Sequence, residues 1–341
     1  MPAAGTPAAG QVRRAALGPW ASAARKLGRD RAAMTALLGL FLIIMACLLA
    51  PAYARYVSGT DPFRSNLDGT FLLDGQTMPV MEQETEGLGL GFTPVGPTWR
   101  LGPYMLGADS QGRDVAARLL YGGRNSLMIG VAATAICLVL AAIVGVVAGY
   151  FGGIVDLVLG RLLDVLWAFP VYLLAISLSI VLIAHGVTIG PITITSGSLL
   201  LPIAIIGLVY VPYVARPVRG QVLSLERSEF VLAAVGLGVP AYRILLRDVL
   251  PNIATTLIVF CPLMLAIAIL TESALSFLSI GVQPPDASWG TIIQDGQTML
   301  YTRPWVALAP GIAIVLTVLA LNILGDGVRD ALDPRAKIQL A

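Results

Sequence analysis

Residues 126–149 read SLMIGVAATAICLVLAAIVGVVAG, 24 residues without a single charge. A helix crossing a bilayer needs roughly 20 such residues, and a soluble helix with one buried stripe would alternate with polar positions instead. Working outward, comparable runs occur at about 32–50, 163–185, 199–215, 253–275 and 306–325. The chain thus reads as six spans. Composition agrees. Hydrophobic residues make up 57% of 341 and charged residues only 12%, against about 25% charged in a soluble domain. Too little polar surface is left to cover a water-soluble fold of this length. The net charge of +2, with no basic patch interleaved with aromatics, argues against nucleic acid as a partner.

The first run could be a cleaved secretory signal, because Arg13, Arg14, Arg25, Lys26, Arg29 and Arg31 precede it and Ala52-Tyr53-Ala54 follows it. A signal's apolar region is about 7–15 residues. The run from Ala32 to Ala50 is longer, so a retained span is expected. Cys47, Cys137 and Cys261 each fall inside an apolar run, with no partner at ligand or disulfide spacing. They read as three buried thiols acting as small hydrophobes.

Orientation follows from the excess of Lys and Arg on cytoplasmic loops. Residues 1–31 hold six basic residues and one acid. The segment between the fourth and fifth spans holds Arg216, Arg219, Arg227, Arg243 and Arg247, and the C-terminal tail adds Arg329, Arg335 and Lys337. Six spans place all three on one side, so both termini are expected in the cytoplasm. Residues 186–198 carry no charge, and 277–304 carry only Asp286, Asp295 and Arg303. The expected organisation is a cytoplasmic tail (1–31), a first transmembrane helix (32–50), an extracytoplasmic piece (51–118), a core (119–325) with a cytoplasmic loop at 216–251, and a cytoplasmic tail (326–341). The piece 51–118 is rich in Gly, Pro and acids, including Glu82, Glu84 and Glu86. Residues 71–78, FLLDGQTM, read as two short strands around an Asp-Gly turn. This is either a small subdomain or a solvated connector.

The sequence carries no motif of an energy-converting site. A phosphate-binding P-loop needs a lysine directly after glycine; Lys26 follows Arg25 and Lys337 follows Ala336. Ion-coupled transporters carry ionisable residues at mid-membrane. Here Asp164 and His185 lie at span ends, and Glu272 sits near the outer end of the fifth span. Glu272 is either a hydrated or hydrogen-bonded carboxyl or a residue at the outer gate of a pathway. His185 is the only histidine, which excludes a histidine metal cluster and a Ser-His-Asp triad.

The loop between the fourth and fifth spans is unusual. From Glu226 to Pro240 it reads ERSEFVLAAVGLGVP and continues to Leu250-Pro251-Asn252. Ser228 suits a helix N-cap and Glu229 the first turn. Gly236 or Gly238 can end that helix, and Pro240 suits the start of a second. A short helix exposing Phe230 beside small Ala233 and Ala234 could receive another protein's groove. An ordinary interfacial amphipathic helix is the other reading.

This loop resembles the coupling loop of ABC importer permeases, with its pattern Glu-Ala-Ala, three residues, Gly, then a later Leu-Pro. Ala233, Ala234, Gly238, Leu250 and Pro251 match at that spacing. Leu232 stands where the family's Glu is common, and Asp248 where peptide-type members often have His. Glu229, three residues before Leu232, is placed to take part of the polar role. Residues 106–114, LGADSQGRD, resemble a signature of dipeptide, oligopeptide and nickel importer permeases. Further matching stretches are 148–153 (AGYFGG), Asp164-Val165, 168–170 (AFP), 271–278 (TESALSFL), 281–285 (GVQPP) and 288–290 (SWG). Residues 322–335, NILGDGVRDALDPR, are similar to the tail of the C-type permease subunit. The resemblance covers about 104–336. Locally, Asp109 could cap the next helix, Arg113 and Asp114 could pair, and Pro284-Pro285 with Trp289 suit a rigid outer loop bearing an interfacial aromatic.

The resemblance implies an all-α integral membrane protein of six transmembrane helices, like type I ABC importer permeases, with an extracytoplasmic insertion between spans one and two. It implies a homologous permease partner, two cytoplasmic ATPase subunits that hold ATP and Mg, an extracytoplasmic substrate-binding protein, and a place in a bacterial cytoplasmic membrane. The chain itself would be no enzyme and hold no cofactor. ATPase docking is expected at Glu229, Phe230, Leu232, Ala233, Ala234, Gly238, Asp248, Leu250 and Pro251. Peptide is the expected cargo, with nickel, haem or another small solute as the alternative. A secondary transporter and a membrane enzyme are disfavoured by the absences above.

Overall fold

The computed structural model describes residues 19–83, 91–189, 192–194 and 197–333. Glu84, Glu86, Arg13, Arg14, Arg335 and Lys337, used above, lie outside them. A short helix α1 (Pro19–Leu27) precedes α2 (Arg31–Leu48). Asp30 caps α2, its carboxylate accepting from the amides of Ala32 at 2.9 Å and Ala33 at 3.2 Å. After the insertion come α3 (Val115–Phe151), α4 (Gly153–Ala168), α5 (Val171–His185), α6 (Leu200–Val209) and α7 (Val211–Glu226). Then follow α8 (Glu229–Gly236), α9 (Ala241–Phe277), α10 (Trp289–Gln297) and α11 (Trp305–Leu332).

Four helices, α2, α3, α9 and α11, are each long and apolar enough to cross a membrane. The third and fourth spans are bent pairs. Between α4 and α5 the chain turns by 90°. Phe169 is extended there, as the proline ring of Pro170 requires of the residue before it. Between α6 and α7 the bend is 42°, with Pro212 in the first turn of α7. If each pair counts as one span there are six. Several helices outrun their expected spans. α3 begins at Val115, well before 126, α9 begins at Ala241, before 253, and α11 continues to Leu332, so Asp326 and Asp330 lie within a helix.

α3 is the central post and packs against α7, α9 and α6. Bare backbone makes this approach possible. A Cβ at Gly145 would lie 2.7 Å from Val218, and one at Gly149 would lie 2.8 Å from Val222. Lipid-embedded helices gain little from hydrophobic exclusion between one another, so close backbone contact carries their packing. Of the three cysteines, Cys47 and Cys137 are buried, but Cys261 is exposed. It lies on the part of α9 that faces away from the bundle, a distinction that an unbroken apolar run does not encode.

Among the described residues of 51–118, two hairpins gather around a small core. Strands β1 (Thr70–Leu73) and β2 (Gln76–Pro79) pair antiparallel around Asp74-Gly75. Both turn residues have positive φ, 54° and 80°, as a two-residue hairpin turn of this type requires. A second hairpin, β3 (Met81–Gln83) with β4 (Phe92–Pro94), lies beyond it. Phe71, Val80, Val95, Tyr104 and Ala108 make a small buried core. A third hairpin, β5 (Val187–Ile189) with β6 (Ile192–Ile194), follows α5.

Candidate functional site

The loop joining α7 to α9 lies at the end of the bundle opposite the insertion. Ser228 occupies the N-cap position of α8, but its hydroxyl donates back to the Leu225 carbonyl rather than accepting from the helix. Leu237 closes the helix and Gly238 follows with φ +72°, a left-handed conformation that favours glycine. Pro240 is the N-cap of the next helix. That helix is not a separate short one. It passes through a wider π turn at Leu245–Val249 and continues as the fifth span.

Of the residues expected to dock a partner, Glu229, Phe230, Leu232, Ala233, Gly238, Leu250 and Pro251 are exposed, and Ala234 and Asp248 are half-buried. Val231 alone on α8 is buried; it anchors the helix to the core cluster of the bundle. The apolar face of α8 is therefore presented outward, with Phe230 at 48% exposure and Leu232 at 56%. Sequence reasoning missed neighbours that extend this face: Val235, Leu237, Tyr242 and Leu246 are exposed too. The signal was available, because large apolar residues in a loop that also carries Arg227, Arg243 and Arg247 need a cover. Gln221 of α7 ties the loop's two ends, accepting from Thr256 and donating to the Asn252 carbonyl at 3.3 Å.

At the other end, buried charges bind the insertion to the spans. Asp114, not Asp109, caps α3, accepting from the amides of Ala116 at 2.9 Å and Ala117 at 3.1 Å. Its second oxygen accepts from the Ser58 hydroxyl at 2.6 Å and the Tyr104 amide at 2.9 Å. Arg113 pairs with Asp109 at 2.7 Å and with Asp295 of α10 at 2.8 Å, not with Asp114. Arg118 reaches the same two carboxylates at 3.2 and 3.0 Å. Burial pushes the Asp295 carboxyl above its usual range, against the pull of the Arg118 and Arg113 guanidinium groups. Arg303 adds a link to Glu82 at 3.1 Å, and Trp99 meets Trp305 edge-on at 5.0 Å. A cleft of about 870 Å³ opens between the insertion and α10, lined in part by Phe63, Gln111, Gln283 and Asp286.

Glu272 is fully buried. Ser276 donates to its carboxylate at 2.7 Å and Ser273 at 3.4 Å. Ser126 of α3 and Ser288, the N-cap of α10, complete the ring of hydroxyls that interact with it. Trp289 is not an interfacial anchor either. It is buried, and its indole N–H donates to the Leu119 carbonyl at 3.0 Å.

Two family models match the chain. Residues 141–338 match the binding-protein-dependent transport system inner membrane component, and residues 18–68 the N-terminal transmembrane domain of oligopeptide transport permease C. The chain is 36% identical over 316 residues to the oligopeptide transport system permease protein OppC of Escherichia coli K12, covering 93% of this chain and 91% of that one. It is 38% identical over 250 residues to the dipeptide transport system permease protein DppC of Alkalihalophilus pseudofirmus, covering 72% and 78%. In fold it is similar to a chain of the MetNI methionine ABC transporter in an inward-facing conformation, with a TM-score of 0.51 at 17% identity, covering 63% of this chain and 96% of that one. The matched models, the two close relatives and the helical architecture agree: the chain belongs to the binding-protein-dependent inner membrane components of ABC importers, as a C-type permease subunit.

Proposed function

We propose that this chain forms half of the translocation path of an ATP-driven peptide importer in a bacterial cytoplasmic membrane. The observation that carries this reading is the outward apolar face of α8 with Gly238 behind it, on a loop that no other part of the chain covers among the described residues. An ATPase subunit docks there, at Glu229, Phe230, Leu232, Ala233, Ala234, Gly238, Asp248, Leu250 and Pro251. Both termini lie on that cytoplasmic side. A homologous permease completes the path, and two ATPase subunits hold the ATP and Mg that drive the cycle. Closing of the ATPases moves α8 and, through it, the spans, which pass between two access states. The peptide cargo follows from the relatives named above, and a nickel or haem importer has no specific observation in its favour.

On the outer side the insertion seats the substrate-binding protein. Leu72, Phe92 and Leu101 stay exposed on it, and exposed apolar residues on a folded subdomain mark an interaction surface. Glu272 acts at the outer gate as a latch, joining α9 to α3 and α10, rather than as a wall of the path.

Proteoliposomes holding this chain with its permease, ATPase and binding-protein partners test the reading. ATP-dependent uptake of labelled di- or oligopeptide is expected. Uptake that persists without the ATPase subunits would point to a secondary transporter and sink it. In the same assay, Leu72→Glu with Leu101→Glu should weaken binding-protein docking, and normal docking would free the insertion of that role.

A further inference from the structure

α4 is an odd element. It carries Ile154, Leu157, Val158, Leu162 and Val165 exposed, and only Leu163 is buried. Apolar packing within the chain therefore does little to fix its position. Polar contacts to α7 do that instead. Arg219 grips Asp156 in a forked pair, Nε to Oδ1 and Nη2 to Oδ2, the second at 2.6 Å. Arg216 donates to Asp164 at 2.9 Å. The Arg216 guanidinium also lies 4.9 Å from the centre of the Trp167 ring, and Trp167 stacks on Tyr213 at 6.1 Å. Arg161 competes only weakly for Asp164, at 3.9 Å.

The spacing of these contacts matters. Asp156 and Asp164 are eight residues apart, about 12 Å along α4, whereas Arg216 and Arg219 are three apart, about 4.5 Å along α7. One ion pair would be a pivot. Two pairs at unequal spacing fix both the separation and the crossing angle of the helices. The planar guanidinium fork adds a fixed direction that a lysine would not. α7 is in turn held to α3 through Gly145 and Gly149. At its far end α7 runs through Arg227 and Ser228 directly into α8. α4 ends at the 90° turn before α5.

We propose that Asp156, Asp164, Arg216 and Arg219 are positioning residues that make α4 and α7 one moving body, so that displacement of α8 is carried to the turn at Pro170. This rests on the reading above that α8 receives the ATPase. It assigns to these four side chains a role in coupling that docking at α8 alone does not supply. The path from ATPase to spans then has a defined branch: α8 to α7, across the two ion pairs to α4, and on to α5.

The test uses the complete reconstituted complex and reads peptide imported per ATP hydrolysed. Asp156→Arg and Arg219→Asp, each alone, should assemble with the ATPase yet lower that ratio about two- to fivefold, the fold-change for losing a partly exposed ion pair from one conformational state. The double exchange should recover most of it, which a purely structural loss would not do. A second measurement covers variants that fold poorly. In a Cys261→Ser background, Asp156→Cys with Arg219→Cys should be deficient until a short bismaleimide joins the two thiols, and then import again. Single variants with the normal ratio, an assembled double exchange that does not recover, or a cross-link that arrests import would each overturn the proposal. If the unaltered complex shows no ATP-dependent uptake, the docking reading fails and takes this one with it. Normal uptake with unaffected variants removes only this one.

Discussion

Asp109 and Asp114 show how much a single side chain's role depends on register. The motif at 106–114 supplies two carboxylates and one arginine; the sequence reading gives the cap to Asp109 and pairs Arg113 with Asp114, and the structure reverses both. Asp114 directly precedes Val115 and so holds the N-cap, while the short β-bridge between Ala108 and Asp114 turns Asp109 back onto Arg113 and Arg118. That bridge closes a loop of local contacts which composition and spacing do not specify. Arg113 and Arg118 are 6% and 2% exposed, so their charges depend on Asp109 and Asp295. Asp109→Ala should cost about 3–5 kcal/mol, the loss seen when one partner of a buried pair is removed. A fall in the melting temperature of the purified complex would report it, and an unchanged temperature would mean that the cluster is not holding the insertion. Glu272 was legible as exceptional but not as enclosed, because its ring of hydroxyls comes from three separate elements. Glu272→Gln keeps the shape and can still hydrogen-bond Ser276, so assembly should survive while ATP-dependent uptake falls several-fold. Unchanged uptake would count against a gate.

At the scale of elements, the four long spans were legible, since hydrocarbon thickness sets their length and apolar runs report it directly. Their ends were less so. α3 extends past its apolar run because Asp114 caps it well before the run begins. The second short helix of the loop proved continuous with the fifth span, through the π turn at Leu245–Val249 just before Pro251. Trp289 was misread because its burial depends on Gly123 of α3, where a Cβ would come within 2.7 Å of the ring. Contacts of this kind join residues far apart in sequence. The α3–α7 seam gives a sharp test. Gly149→Val places branched carbons where a single Cβ already meets Val222 and the Arg219 carbonyl. Overpacking of this kind costs about 1–3 kcal/mol. Because the clash lies against α7, the variant should also lower the yield of intact complex in size-exclusion profiles. The same change at Gly160, which has open space around it, should leave the yield unchanged.

For the whole molecule, one bundle joins two ends. Buried ion pairs and aromatic contacts fix the insertion to the spans at one end, and α8 stands uncovered at the other. Neither lysine of the chain follows a glycine, and the surface proposed to receive an ATPase is the loop from Glu229 to Pro251. The sequence contained this loop's position and its pattern. What it did not contain was how much apolar surface around Leu237, Tyr242 and Leu246 joins it, since that depends on how the loop folds against Val231 and Ile244. The most direct test is co-purification. The complex of this chain with its permease and ATPase partners is isolated through a tag on this chain, unaltered and with Ala233→Glu and Gly238→Arg together. The account predicts that the unaltered chain brings down the ATPase, and that the variant keeps its permease partner but loses the ATPase and ATP-dependent uptake. ATPase retained at full occupancy by the variant would contradict it.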